Sequence, residues 1–597
     1  MLSVTRLGVA VLLSSVIALP ARADDPPSNP PTDAPAAHPA DAASATGPGP
    51  LAPAGYPSCG DVVARLGAIA KPLGDRASIE QIATSRNGQP IHALLLGNPD
   101  RSRRMPALLL VAGMDGIHLG STEQLLTALE STLRDHPELL DSVRLYAIPQ
   151  ANPDARATAM ATRHPRATNA RVVDDDHDGA SDEDGPTDLN GDGLILQLRR
   201  IAPPGEAATH VVDPVDPRIV RAANREKNEL ATHQLLVEGG DKDGDGFVAE
   251  DSEGGVALDR NFPHRWSEFS PDAGPYPLSE PETLGIARFV RDHADITTAV
   301  VFGRHDTLLH FPDTKDKDST GRTPVAYLAE DHDLYRELGK LWKESTKIER
   351  SDSADLAGSL VLWLADHRGI AAVAANGWAR PEVPKPPEPK EGEPKPDAPK
   401  ETGDGEQSAW LALSEKVYHG GFVPWTAFNH PVYGACEIGG FAPFLRESPT
   451  IAQARDLGTR TAPFIAALAA KRARIEASEA RCTVLADGLA RIEFRLSNTG
   501  SMPTVTEMGR ITGVVPPVIV RLVDPATGKG LAPEAVLSGR PVHKIDRLPA
   551  TDSREFTWIV RLPAGGAVDV VTSGPTFDSI TRTAAGAANS IRTGASK

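Results

Sequence analysis

Along the chain, apolar residues recur at helical spacing in some stretches and as short continuous runs in others, and the two kinds alternate. The spacing predicts a helix from Cys59 to Ile69, a strand from Ile91 to Leu96, an apolar run from Ala107 to Ala112 and a helix from Thr122 to Arg134. A strand from Val143 to Ile148, a helix from Glu280 to Asp292 and a strand from Thr297 to Phe302 follow. Apolar strands separated by amphipathic helices predict an α/β fold, a mainly parallel mixed sheet flanked by helices. In such sheets a site lies beyond the carboxyl ends of the strands. A long helix from about Ile451 to Glu479 closes this part. Short alternating runs then appear, at Ala490 to Leu496, Val518 to Val523 and Phe556 to Val560, with Gly and Pro turns between them. They predict a small C-terminal β-sandwich over 480–597, with a flexible tail.

Other stretches lack this periodicity. The N-terminus has Arg6, an apolar run from Leu7 to Leu19 and Ala21-Arg22-Ala23, the pattern of a signal peptide over 1–23. It implies a periplasmic or extracellular protein with no membrane-spanning segment in the mature chain. A Pro- and Ala-rich tether over 24–55 and a Pro-, Glu- and Lys-rich insertion over 380–407 have too little apolar surface to order themselves. The predicted α/β domain spans 56–479.

With 597 residues, a core of this size is well supplied, and a net charge of −18 argues against nucleic acid or anionic membrane as a partner. Cations suit it better. Three cysteines, Cys59, Cys436 and Cys482, are too few for a disulfide framework, although one bridge is compatible with an oxidising compartment.

The acidic region 172–255 holds three similar loops: Asp174-x-Asp176-x-Asp178-Gly, Asp188-x-Asn190-x-Asp192-Gly and Asp241-x-Asp243-x-Asp245-Gly. Oxygen donors at alternate positions followed by glycine match the first half of a calcium loop. None has Glu at the twelfth position, where Gly185, Arg199 and Ser252 stand. Glu183, Asp184, Asp251 or Glu253 can complete the shells. A solvated acidic insertion is the alternative.

An ordered series of short motifs runs through the α/β part: Ser85-Arg86-Asn87-Gly88-Gln89-Pro90-Ile91, Asn152-Pro153-Asp154, Asp259-Arg260-Asn261-Phe262, Ser279-Glu280-Pro281-Glu282-Thr283 and Glu437-Ile438-Gly439-Gly440. Together they resemble the carboxypeptidase A-like zinc peptidases. That resemblance implies a zinc-held water, a glutamate base and an arginine clamp for the C-terminal carboxylate of a peptide. It assigns Glu437 as base, Arg166 to the oxyanion, and Arg260 with Arg163 to substrate, with Asp259 where the family has Asn.

The zinc positions depart from the family's pattern. Asp115 stands at the ligand His and His118 at the ligand Glu, so that an acid and an imidazole exchange places. Gly303 stands at the second His, and His305, two residues on, is the residue that could replace it through a bulge. Three functions remain open on these residues: a metal-dependent carboxypeptidase, a non-catalytic peptide-binding or adhesion module, and an amidohydrolase acting on acylated amino acids or cell-wall peptides.

Overall fold

The computed structural model describes residues 51–585, apart from 101, 175–180, 183, 243, 245, 247, 249–253, 313–316, 318–320, 322–324, 326, 385–402, 487 and 563–564. The predicted signal peptide, most of the tether, most of the 380–407 insertion, and Asp176, Asp178, Asp243 and Asp245 of the acidic loops lie outside the described residues. The described residues belong to one compact unit.

The main sheet has six strands in the order Ala77–Thr84, Pro90–Leu96, Arg144–Ile148, Ala107–Val111, Ile296–Phe302, Ala371–Ala375. The last four run parallel, and the first two form an antiparallel hairpin added to the edge. All five residues of Ala107–Val111 are buried, as a strand covered on both faces requires. Helices Cys59–Ala70, Gly120–Asp135, Pro281–Asp292, His332–Thr346, Leu360–Arg368 and Ile451–Ala470 accompany this sheet. Their ends are locally encoded. Ser58 and Asp61 form a capping box, as do Thr450 and Gln453, and Gly369 takes the left-handed position that stops Leu360–Arg368.

The family-like motifs prove to be locks between these elements. Ser85 Oγ donates to Asp154 Oδ1 at 2.7 Å and Asp154 Oδ2 accepts from Asn87 N at 3.0 Å, so the hairpin turn is pinned to the Asn-Pro-Asp turn. Asn152 caps helix Pro153–Thr162 and donates to Met114 O. Asn261 donates to Ala273 O and Ser279 Oγ and accepts from Thr283 Oγ1, tying two motifs together. Each lock satisfies buried polar groups that would otherwise be costly.

A second sheet, antiparallel throughout, has the order Phe422–His430, Gly434–Phe441, Gln197–Ile201, His233–Val237, His210–Val212, Val220–Ala222. Four of its strands come from the acidic insertion, which is therefore more than a set of loops. After it, two antiparallel sheets enclose an apolar core that includes Ile492, Val520, Trp558 and Val570. This is the expected sandwich.

Three expectations need correction. The long helix ends at Ala470, not near Glu479, because Ile475–Ala477 already pairs as a strand with Leu489–Asn498. The 380–407 insertion ends earlier than expected: Asp404 caps a helix Gly405–Lys416, and Arg380 reaches Glu406 at 2.7 Å. The tether ends before residue 55, since Ala52 is buried against a small cluster with Tyr56 and Phe444. All three cysteines are free thiols. No helix among the described residues is long and apolar enough to cross a membrane.

Candidate active site

Asp115 follows the end of strand Ala107–Val111 by four residues and Gly303 directly follows the adjacent parallel strand Ile296–Phe302, so the predicted ligand positions lie beyond neighbouring carboxyl ends. Asp115 is buried. Its Oδ1 accepts the amides of Ile117 and His118 at 2.9 and 2.7 Å, and its Oδ2 lies 2.9 Å from His118 Nδ1. Burial opposes ionisation of Asp115, but the His118 charge and these hydrogen bonds outweigh it and hold the carboxyl below its usual range. Burial likewise opposes the charged His118, and Asp115 outweighs it, so the imidazole is raised. The two side chains hydrogen-bond each other through Oδ2 and Nδ1. A zinc would need that imidazole lone pair and that carboxylate for itself.

The third position adds no donor. Gly303 has no side chain, and a Cβ built there would meet no atom within 4 Å. His305 faces elsewhere: its Nε2 lies 3.3 Å from Asp259 Oδ2 and its Nδ1 3.3 Å from Ala354 O, with both side chains of the pair almost fully buried. Asp259 Oδ1 accepts the Leu360 amide at 2.7 Å, at the start of helix Leu360–Arg368. His305 thus braces the Asp-Arg-Asn-Phe segment, where a strand bulge would have been needed to turn it toward Asp115. Among the described residues no three His, Cys, Asp or Glu side chains are grouped so as to hold a metal ion. The residues present do not fit a carboxypeptidase zinc.

The other assigned residues are also engaged. Glu437 lies on Gly434–Phe441 in the second sheet, not in the parallel one, and its Oε2 accepts from Arg199 Nε at 2.7 Å. Arg199 in turn stacks over the Trp425 ring at 4.4 Å and donates to Pro217 O. The Glu437 carboxylate thus has a guanidinium partner in place. Arg166 donates to three backbone carbonyls, those of Thr168, Asn169 and Gly254, and so fastens the start of the acidic insertion. Arg260 pairs with Asp272 at 2.8 Å and donates to Ser270 Oγ. Arg163 alone projects from the surface, at the left-handed end of helix Pro153–Thr162. Tyr418 is buried, and its hydroxyl accepts from Gln453.

Sequence reasoning missed Arg199, the partner of Glu437, because 238 residues separate them. It also missed a buried cluster in which Asn169 Nδ2 donates to Glu280 Oε2 and Glu282 Oε2 at 2.9 and 3.2 Å. The second half of the Ser-Glu-Pro-Glu-Thr motif was the signal for that cluster.

In the acidic region, Asp188 accepts from Gly191 N and Gly193 N, both at 2.8 Å, and Asp241 accepts from Gly244 N and Gly246 N at 2.6 and 3.0 Å. The first and second described loops therefore share one turn. Glu238, fully buried, accepts from Leu189, Asn190 and Leu196 amides and joins the first loop to the approach of the second. Asp184, 1% exposed, takes Lys242 N on Oδ1, while its Oδ2 has no hydrogen-bond partner among the described residues.

The parallel sheet with a site at its carboxyl ends defines a carboxypeptidase-like α/β body. Residues 62–180 match the family model described as zinc carboxypeptidase, and residues 474–585 match a domain of unknown function. The zinc carboxypeptidase likeness thus covers Asp115, His118 and the Arg163–Arg166 pair, and stops short of Gly303 and Glu437. No curated protein matched. Among solved structures the chain is similar to bovine thrombin-activatable fibrinolysis inhibitor in complex with tick carboxypeptidase inhibitor, at 14% identity and a TM-score of 0.34, covering 53% of this chain and 86% of that one. It is similar to carboxypeptidase A from Helicoverpa armigera at 14% identity and a TM-score of 0.32, covering 53% and 62%. The corresponding values for a metallo-carboxypeptidase from Burkholderia cenocepacia are 12%, 0.29, 53% and 59%. The chain thus spans less than two thirds of the last two.

Proposed function

We propose that this protein is an exported, non-hydrolytic relative of the zinc carboxypeptidases, a peptide-binding or adhesion module steadied by calcium in its acidic insertion. The observation that carries the reading is the dispersal of the would-be ligands: Asp115 pairs with His118, His305 pairs with Asp259, and Gly303 offers nothing. The Glu437–Arg199 ion pair supports it, since the base is already matched by a cation. Export rests on the N-terminal segment read from the sequence. The peptide C-terminus as ligand rests on the family likeness, with the exposed Arg163 as the available cation.

The test is hydrolysis of blocked peptides with free and amidated C-termini, and of N-acylated amino acids, by the purified chain and by Glu437→Gln. Both should give the same background rate. Turnover that disappears in Glu437→Gln would restore a hydrolase, and preference for the free carboxylate would make it a carboxypeptidase.

Calcium is supported by the recurrence of one turn at Asp188 and Asp241 and by the buried Asp184 oxygen that has no hydrogen-bond partner among the described residues. At calcium a hundredfold above its Kd, binding to the folded state adds about 2.7 kcal/mol per site. Chelation should therefore lower the melting temperature by several degrees, and Asp188→Ala should abolish part of that shift. A melting temperature indifferent to chelator would return these loops to solvated acid.

A further inference from the structure

The turns at Asp188 and Asp241 in the acidic insertion are tied to each other crosswise. Glu238 stands just before Asp241 in the sequence, yet its Oε1 accepts the amide of Leu189, the residue after Asp188, at 2.7 Å. Asp184 stands just before Asp188, yet its Oδ1 accepts the amide of Lys242, the residue after Asp241, also at 2.7 Å. An antiparallel bridge between Pro186 and Gly239 runs between the two crossings, and Thr187 N donates to Glu238 O at 3.0 Å. Each loop is thus met by an acid that the sequence places beside the other.

The crossings differ at the second oxygen. Glu238 Oε2 accepts the Leu196 amide at 2.9 Å, so both of its oxygens are matched. Asp184 is 1% exposed, and its Oδ2 has no hydrogen-bond partner among the described residues. An enclosed carboxylate oxygen without a donor raises the energy of the free protein, and a cation set against it would lower that energy. Since Oδ1 rests on the amide next to Asp241, Oδ2 of the same carboxylate is held beside the start of the 241 loop. That loop is curled by its own acid, because Asp241 accepts the amides of Gly244 and Gly246. Its sequence has the alternate acids and closing glycine of a calcium loop, but Ser252 where such a loop has its last carboxylate.

We propose that Asp184 is the out-of-sequence ligand of a calcium ion on the 241 loop, its Oδ2 taking the place of the carboxylate that Ser252 does not supply. This rests on calcium occupying the acidic insertion, as proposed above, and adds which residue closes the shell and what the ion joins. The ion clasps two segments 58 residues apart in sequence. Between them lie strands Gln197–Ile201 and His233–Val237 of the second sheet, and with them Arg199, the partner of Glu437. The hairpin that carries Glu437 reaches the same junction, where His430 Nε2 lies 2.9 Å from Gly239 O.

Calorimetric titration of the chelator-stripped full chain with calcium chloride tests the crossing. Asp184→Asn keeps an oxygen for the Lys242 amide and removes only the charge, and its melting temperature in chelator reports that it has folded. It should weaken one calcium site about tenfold or more. Asp241→Asn should weaken the same site, so that adding Asp184→Asn to it changes little further, whereas Asp184→Asn and Asp188→Asn should combine additively. Calcium binding that Asp184→Asn leaves unchanged would overturn the proposal while calcium in the insertion stands. A parent chain that binds no calcium would overturn both. The reverse pattern, with Asp184→Asn redundant with Asp188→Asn and additive with Asp241→Asn, would assign Asp184 to its neighbour in sequence and overturn the crossing.

Discussion

Replacing Asn169 with alanine should lower the unfolding free energy by roughly 3–5 kcal/mol, the range for unmatching a buried charged network. Asn169 is fully buried, and its amide donates to Glu280 and Glu282, neither of which is exposed. Its carbonyl oxygen accepts the amides of Arg171 and Val256. Burial opposes ionisation of Glu280, but Asn169, Arg86 and Ser279 outweigh it and hold that carboxyl low. Glu282 is raised by burial despite its hydrogen bonds, among them one from Asn169. Alanine leaves two carboxylates facing each other without their shared donor, and two amides without an acceptor. Urea denaturation measures the loss. Adding Glu282→Gln should recover part of it, because one of the opposed charges is then gone. A loss under about 1 kcal/mol would mean that water replaces Asn169 at little cost.

The second large effect is a pH dependence centred on Asp366. This residue lies in helix Leu360–Arg368, and burial pushes its carboxyl up to about 7. The unfolded chain ionises Asp near 3.9, so between about 4 and 7 the unfolded state binds fewer protons than the folded one. Stability contributed by Asp366 is therefore greatest at low pH, falls as pH rises through that window and levels off above it. A gap of about three pK units amounts to roughly 4 kcal/mol. Asp366→Asn should remove the fall, so that the variant gains on the parent progressively from pH 4 to pH 8. His264 Nε2 lies 3.1 Å from Asp366 Oδ2, close enough for an ion pair, although Oδ2 accepts no aligned hydrogen bond. Burial is the stronger influence here, since both side chains are almost wholly enclosed. A variant that instead loses stability at neutral pH would show that the His264 pair dominates.

Much of the architecture was legible because it is written in local pattern. The buried run Ala107–Val111 and the alternation along Leu489–Asn498 each name their own environment. The second sheet was not legible. Its strand Gln197–Ile201 carries Arg199 and Arg200, which are buried with Trp425 and Tyr433 stacked against their guanidinium groups. Those partners lie more than two hundred residues away. The site divides in the same way. Asp115, His118 and Gly303 could be placed from the motif order alone, and their departure from a zinc pattern is a matter of residue type. His305 could not be placed, since its direction depends on Asp259, on Ala354 and on how the chain leaves Phe302. The motifs that carry the family likeness most clearly, around Ser85, Asn152, Asn261 and Glu280, turn out to be structural locks, which can persist whether or not a metal is held.

Zinc content decides the central question. The purified chain, dialysed against excess zinc in the presence of saturating calcium and then against zinc-free buffer, should retain well under one zinc per chain by elemental analysis, and Asp115→Ala and His118→Ala should retain no less. Retention of one zinc per chain that is lost in either variant would contradict the reading and place a metal where Asp115 and His118 now satisfy each other.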